Sequence, residues 1–159
     1  MGVVHKVTLV IVTPVYEDGD VARQLFQELA VIFSNNIYIV AVDDGSVRQP
    51  LKIVDLKTAN LEGVVIELKR NVGHQRAIVI GLYFVAERLV DAQHVVVMDS
   101  DDEDLPTSIN ELIKPLDSHD VNTWSLSNEK SESKYCFSGF FIVYINVCSL
   151  HPSGQYKVR

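Results

Sequence analysis

Two aspartates with one serine between them follow an apolar run in the second half of the chain. Asp99 and Asp101 alternate across this extended segment, and Ser100 is the small residue that separates them. One carboxylate can ligate a divalent ion directly while the other reaches the ion through water or contacts a sugar. Hard oxygen ligands of this kind suit Mg²⁺ or Mn²⁺, which would neutralise a diphosphate. The alternative is that the acidic run 99–104 only caps a helix expected to begin near Pro106.

A second pair of carboxylates, Asp43 and Asp44, also follows an apolar run and leads into Gly45 and Ser46. A carboxylate accepts hydrogen bonds from a nucleobase N–H or from sugar hydroxyls, so this pair can recognise a nucleoside. Turn chemistry offers the simpler alternative, in which the same residues form an Asx-type turn.

The first apolar run of the chain ends in Pro14 and Tyr16, which can shape a pocket for a base. In that interpretation the tyrosine ring stacks on the base. The alternative, in which Tyr16 packs in the core, stays open at this point.

The polar segment 70–76 contains one glycine, one histidine and two arginines. Gly73 permits a turn there. Arg70 and Arg76 can meet phosphate, although an arginine on a helix surface is the more common arrangement. His74 can contact a ligand or face solvent, and the sequence does not decide between the two.

The elements that must position these residues alternate between strand and helix. Near-continuous apolar runs predict buried strands, and apolar residues at helical spacing predict helices between them. Asp20 is the expected N-cap of the first helix. The predicted strands are 7–13, 37–42, 64–68 and 94–98, and the predicted helices are 20–34, a short one after Pro50, 75–90 and 106–116. This order predicts an α/β fold with a mostly parallel sheet flanked by helices.

In such a sheet, ligands bind beyond the carboxyl ends of the strands. All the polar segments described above would therefore converge on one edge. We expect a binding domain over 1–120 and an incomplete or irregular segment over 121–159, where the texture becomes serine-rich and then apolar.

Composition excludes several classes of function. The 159 residues carry a formal net charge of −7, which argues against a nucleic-acid partner. Two cysteines without a CxxC pair make a zinc site improbable and favour a reduced compartment. The N-terminus lacks the features of a signal peptide, and the apolar run 140–148 is too short to span a bilayer. We expect a cytoplasmic protein, with peripheral association at the cytoplasmic face of a membrane in a longer form.

Four segments together resemble family 2 glycosyltransferases of the GT-A fold, a Rossmann-like α/β architecture. The nearest likeness is to the branch that transfers sugars to polyprenyl or dolichyl phosphate. The segments are Val-Thr-Pro-Val-Tyr-Glu at 12–17, Val-Asp-Asp-Gly-Ser at 42–46, Arg-Asn-Val-Gly-His-Gln-Arg-Ala at 70–77 and Val-Met-Asp-Ser-Asp at 97–101. They cover about residues 5 to 116.

The resemblance implies a nucleotide-diphosphate sugar as donor, with UDP and GDP both open. It also implies a donor-binding set, in which the first three residues line the nucleoside: Pro14, Tyr16, Glu17, Asp43, Asp44, Asn71, Gly73, Arg76, Asp99 and Ser100. Asp99 and Asp101 would form the DXD-type element that holds Mg²⁺ or Mn²⁺. The sugar would pass to a lipid-phosphate or saccharide acceptor, as in the synthesis of cell-envelope polysaccharide.

The chain also departs from the family pattern. Relatives continue past the DXD element with an acceptor-site helix and a catalytic base, so no base is assigned here. The apolar segment 137–150 lacks the expected arginines and lysines, although another reading frame of its codons permits a basic amphipathic segment. We therefore expect a truncated or frameshifted product, and the alternative function is a non-catalytic nucleotide-sugar-binding remnant.

Two other enzyme classes fit the residues less well. A phosphatase of the haloacid-dehalogenase type lacks its accompanying lysine here. A nicotinamide dehydrogenase would need a GxGxxG motif after the first strand.

Overall fold

The computed structural model describes residues 9–34, 36–89, 92–100, 106–113, 124–125 and 141–143. Strands and helices alternate along most of this length, as the apolar pattern predicts. In chain order the elements are β1 (Leu9–Val15), α1 (Gly19–Phe33), β2 (Ile37–Asp43), α2 (Ile53–Thr58), β3 (Glu62–Glu67), α3 (His74–Arg88), β4 (His94–Val97), a 3₁₀ turn (Pro106–Ser108), α4 (Ile109–Ile113), β5 (Trp124–Ser125) and β6 (Phe141–Val143).

The strands form one sheet in the order β3-β2-β1-β4-β6-β5. The first four strands of the chain are parallel, whereas β6 pairs antiparallel with β4 and β5 antiparallel with β6. The prediction of a mostly parallel α/β sheet is therefore confirmed. The segment 121–159 contributes the two short antiparallel strands, and its other residues lie outside the described part of the chain.

Helices cover both faces of the sheet, and the side chains of β1 alternate between the two. Leu9, Ile11 and Val15 pack in one core with α1 and α2, while Val10 and Val12 pack in a second core beneath α3. This alternation with period two explains why the strand is apolar at nearly every position: it is buried on both faces. The sheet is thus fixed from both sides, and its strand ends are fixed with it.

Helix α3 lies close to the sheet because it presents a glycine there. A Cβ built on Gly81 would stand 2.5 Å from Cγ1 of Val12. The same helix faces the sheet with Ala77 and Val85, both fully buried. Gly81 and Ala77, which carry little or no side chain, allow this close approach of α3 to the sheet.

Several details differ from the sequence-based expectations: β3 begins at Glu62, two residues before the predicted start, and the segment predicted as a helix from Pro106 opens with the 3₁₀ turn before α4. Helix α1 begins at Gly19, with Asp18 and not Asp20 at the N-cap position and without a side-chain capping bond. The Asp20 carboxylate instead accepts a hydrogen bond from Nη1 of Arg23 at 2.7 Å. Strand β1 continues through Pro14 to Val15, two residues beyond the predicted end.

No helix among the described residues is both long enough and apolar enough to cross a membrane.

Candidate active site

A cleft opens where the central strands end, and Pro14 explains its position. The backbone carbonyl of Val12 accepts the N–H of Met98 at 3.0 Å, so Val12 bonds toward β4. Alternate residues of a strand bond to the same neighbour, which places the backbone of Pro14 on that side too. Because proline has no N–H to donate, it cannot extend the ladder. The β1–β4 pairing accordingly ends at Val12–Val97, while β1 stays paired with β2 to Val15–Asp43.

The cleft has a volume of about 300 Å³ and takes its walls from four loops. Each of these loops follows the carboxyl end of a parallel strand, β1 to β4. The lining residues are Pro14, Val15, Tyr16, Asp18, Asp44, Asn71, His74 and Asp99. Three of the eight are aspartates and none is a lysine or arginine, so the described walls are acidic. An anionic ligand would therefore enter more favourably together with a cation.

Asp44 joins two of the loops through its side chain. Its Oδ1 accepts the backbone N–H of Val72 at 2.7 Å and its Oδ2 accepts that of Gly73 at 3.0 Å. Asp44 as a residue is 2% exposed yet lines the cleft. The loop after β2 thereby fixes the start of α3.

Asp43 stands beside Asp44 but holds a different segment. Its Oδ1 accepts the backbone N–H of Ser46 and its Oδ2 that of Leu51, both at 2.7 Å. The side chain is buried and is absent from the cleft walls. Adjacent carboxylates of the sequence therefore fix two different loops.

Glu17 holds the middle of that same segment. Its two carboxylate oxygens accept the backbone N–H groups of Val47, Arg48 and Gln49 at 2.9 to 3.2 Å. These hydrogen bonds, the one from Val47 first, lower the pKa of the Glu17 carboxyl, and the Arg48 guanidinium adds a smaller effect.

The backbone of Glu17 is constrained as well. Its N–H donates to Oγ of Ser46 at 2.8 Å, and its φ is +58°, in the left-handed region. Because Tyr16 and Asp18 flank it and line the cleft, the Glu17 contacts tie one wall of the cleft to the segment 46–51.

His74 and Asp99 face each other in the cleft. His74 is the first residue of α3, and Asp99 follows β4. Nε2 of His74 lies 3.3 Å from Oδ1 of Asp99, and the two side chains are 52% and 27% exposed. An imidazole nitrogen and a carboxylate oxygen thus stand together on the solvent-accessible side of the site.

The structure brings together half of the sequence-predicted donor-binding set. Five of those residues line the cleft: Pro14, Tyr16, Asp44, Asn71 and Asp99. The other five are outside the lining: Glu17, Asp43, Gly73, Arg76 and Ser100. Of these, Ser100 is buried and Arg76 is exposed, and Asp101 lies outside the described residues.

Three lining residues were not in the predicted set, namely Val15, Asp18 and His74. Val15 and Asp18 belong to the loop region already singled out after the first strand. The sequence left the orientation of His74 open, and the structure turns it toward Asp99.

The described residues contain no group of three or more His, Cys, Asp or Glu side chains that could hold a metal ion. Asp99 alone of the predicted metal pair is described. Its partly exposed carboxylate on the cleft wall is the oxygen ligand that Mg²⁺ or Mn²⁺ takes, so the described residues fit a site completed by further ligands.

Comparisons with known proteins place the chain among glycosyltransferases. The family model described as "Glycosyl transferase family 2" matches residues 10–134. No curated protein matches the chain.

Solved structures of S. aureus TarS 1-349 are similar to this chain in fold. One is 22% identical with a TM-score of 0.54, over 70% of this chain and 33% of that one. The complex of the same protein with UDP-GlcNAc is 23% identical with a TM-score of 0.55, over 70% and 32%. The likeness confirms the GT-A-type α/β fold, and the chain spans about a third of the length of these structures.

Proposed function

The chain belongs to glycosyl transferase family 2, and from this membership we propose that it binds a nucleotide-diphosphate sugar in the cleft and transfers the sugar to a lipid-phosphate or saccharide acceptor. The observation that carries the proposal is the convergence of Tyr16, Asp44, Asn71 and Asp99, each from a different strand-end loop, on one cleft. TarS, similar in fold, has been solved in complex with UDP-GlcNAc and with UDP.

The nucleoside would lie between the loops after β1 and β2. Tyr16 is 49% exposed at the cleft, which leaves its ring face available for a base to stack on. Asp44 supplies a carboxylate whose oxygens already accept one N–H each and retain lone pairs for a base N–H or a ribose hydroxyl. Pro14 and Asn71 complete these walls.

The diphosphate would lie toward Asp99. With three aspartates on the walls, a bare diphosphate would be repelled. Asp99, together with Asp101, would hold Mg²⁺ or Mn²⁺, which would offset that repulsion. When bound, the ion supplies positive charge that stabilises the leaving nucleoside diphosphate. Arg76 is exposed in the first turn of α3 and is available to a phosphate in the complex.

Transfer would proceed by direct displacement at the anomeric carbon. The acceptor oxygen forms the new bond while the bond to the diphosphate breaks, and the nucleoside diphosphate leaves. An ionised lipid phosphate can attack without a base, whereas a sugar hydroxyl needs a carboxylate to take its proton. The chain's own residues hold the donor so that this carbon faces the acceptor.

Calorimetric titration of UDP, GDP and their sugars, with Mn²⁺ and then with EDTA, tests donor binding. Tyr16→Ala should weaken binding of the preferred nucleotide by about 5- to 160-fold, because stacking on an aromatic side chain contributes about 1–3 kcal/mol per base. Tyr83→Ala is the matched control, because Tyr83 is an exposed tyrosine of α3 outside the cleft walls. No binding to any nucleotide by a folded protein would overturn the proposal.

A transfer assay with polyprenyl phosphate and with oligosaccharides then separates enzyme from binding protein. Sugar transfer to either class of acceptor supports the full proposal. Metal-dependent nucleotide binding without any transfer would refute the transferase and favour the binding-only alternative.

A further inference from the structure

We propose that His74 is a second protein ligand of the divalent ion, so that the metal site of this chain combines an imidazole nitrogen from the start of α3 with the Asp99 carboxylate. The inference rests on the proposed function in one respect, namely that the ion is the one that binds together with the nucleotide-sugar donor. It adds a residue of a different chemical type to the pair of aspartates.

The separation of the two atoms carries the argument. An octahedral Mg²⁺ or Mn²⁺ has ligands at about 2.1 Å, so two neighbouring ligands stand about 3.0 Å apart. Nε2 of His74 and Oδ1 of Asp99 are 3.3 Å apart, close to that spacing. The same distance fits a direct imidazole–carboxylate contact, so in the absence of the ion the two side chains can face each other at the spacing that two adjacent ligands of one ion take.

The location of the two atoms supports the same conclusion. Both side chains line the cleft and are partly exposed, so an ion can reach them from solvent. They come from different elements, and the backbone before α3 is fixed by the bonds of Val72 and Gly73 to the Asp44 carboxylate. The backbone from which the His74 side chain extends is therefore fixed without a bound ligand, which lowers the entropic cost of metal binding.

The Asp44 carboxylate of the cleft is less suited to the ion. Both oxygens of Asp44 accept backbone N–H groups, which reduces their donation to a metal. No described cluster has three ligand side chains, so the remaining positions would fall to Asp101, water and the phosphates of the donor.

An imidazole ligand predicts a preference among ions. Mg²⁺ favours oxygen ligands, whereas imidazole binds first-row transition ions more strongly. We expect the chain to prefer Mn²⁺ or Co²⁺ to Mg²⁺. His74→Gln should lower Mn²⁺ affinity at least about 10-fold and reduce the Mn²⁺:Mg²⁺ preference.

The direct test is electron paramagnetic resonance of Mn²⁺ bound to the full chain, alone and with UDP or GDP. Electron spin echo modulation should show coupling to a ¹⁴N nucleus, and selective ¹⁵N labelling of histidine should replace it with ¹⁵N coupling. The label separates His74 from nitrogens of the nucleotide. Because His74 is half exposed, His74→Gln should keep the fold, which circular dichroism verifies.

Gln75→Ala is the matched control, because Gln75 is the next residue of α3, exposed and outside the cleft walls. Loss of the histidine coupling in His74→Gln and its retention in Gln75→Ala support the inference. Bound Mn²⁺ without histidine coupling in the wild-type chain overturns it, while nucleotide binding would leave the proposed function intact. Nucleotide binding that does not require a metal ion would also overturn the inference about His74.

Discussion

Replacing Asp43 by asparagine should lower the free energy of unfolding by about 2–4 kcal/mol, although the side chain keeps its size. Each carboxylate oxygen of Asp43 accepts one backbone N–H at 2.7 Å, from Ser46 and from Leu51. Hydrogen bonds to a charged group contribute about 1.5–3 kcal/mol each, against about 1 kcal/mol for a neutral pair. The asparagine oxygen retains one of the two bonds in this weaker form.

The second bond cannot be retained. The amide NH₂ of asparagine is a donor and would face a backbone N–H, leaving that donor unsatisfied at a cost of about 1–3 kcal/mol. Leu51 is fully buried, so water cannot replace the lost partner there without disturbing the core. Out of a total stability of about 5–15 kcal/mol, the expected loss is large.

Urea denaturation followed by circular dichroism measures this loss. With a slope of about 2 kcal/mol per molar urea, the midpoint should fall by about 1–2 M. Glu87→Gln is the control, since it makes the same carboxylate-to-amide change at an exposed position of α3 and should stay within about 0.5 kcal/mol. A loss below about 1 kcal/mol in Asp43→Asn would refute the assignment of this carboxylate to the two N–H groups.

Three further predictions concern the loops and the packing of α3. In urea titrations, Gly45→Ala should destabilise the protein more than Gly73→Ala. Both glycines have a positive φ, which strains an alanine by about 1–3 kcal/mol. Only at Gly45 would the new Cβ also meet the backbone, 2.5 Å from the carbonyl carbon of Arg70. Equal losses would contradict the close approach. Gly81→Ala should cost about 1–3 kcal/mol, because its methyl overlaps a β1 side chain; an unchanged midpoint would rule that contact out. Since the pKa of Glu17 is lowered in the folded state, its contribution to stability should be constant above about pH 4.5 and be lost as the pH falls through the lowered value. In Glu17→Gln the loss of stability that comes from protonating Glu17 should disappear from the pH dependence of the unfolding free energy. An unaltered pH dependence would contradict the assigned role of Glu17.

The order of elements could be predicted from the sequence because burial on both faces leaves a strong signal. Nearly every residue of β1 and β2 is apolar, and the helices between them repeat at 3.6 residues. The residue at which β1 ends could be predicted less accurately than the order of the elements. Pro14 ends pairing on the β4 side only, and the bond that continues on the β2 side depends on which strands are neighbours.

The position of the site could be predicted for the same topological reason, but the roles of its carboxylates could not. Glu17 and Asp44 accept N–H groups 28 to 32 residues away. Such partners are determined by the tertiary fold, so no local sequence pattern identifies them. A motif carboxylate therefore looks alike in the sequence whether it lines the cleft, as Asp44 does, or lies outside its walls, as Glu17 does.

His74 is different, because a local signal for its orientation exists. The residues of α3 buried against the sheet are Ala77, Gly81 and Val85, which recur at four-residue intervals. His74 lies three residues before Ala77 and so continues that stripe beyond the last buried position. A polar residue at the N-terminal end of a sheet-facing stripe, in a helix that follows a strand end, must lie over the sheet edge where ligands bind. Once the buried stripe of α3 is known from the structure, the helical period accounts for His74 facing the cleft, whereas Arg76, two residues further on, falls on another side of the helix and is exposed.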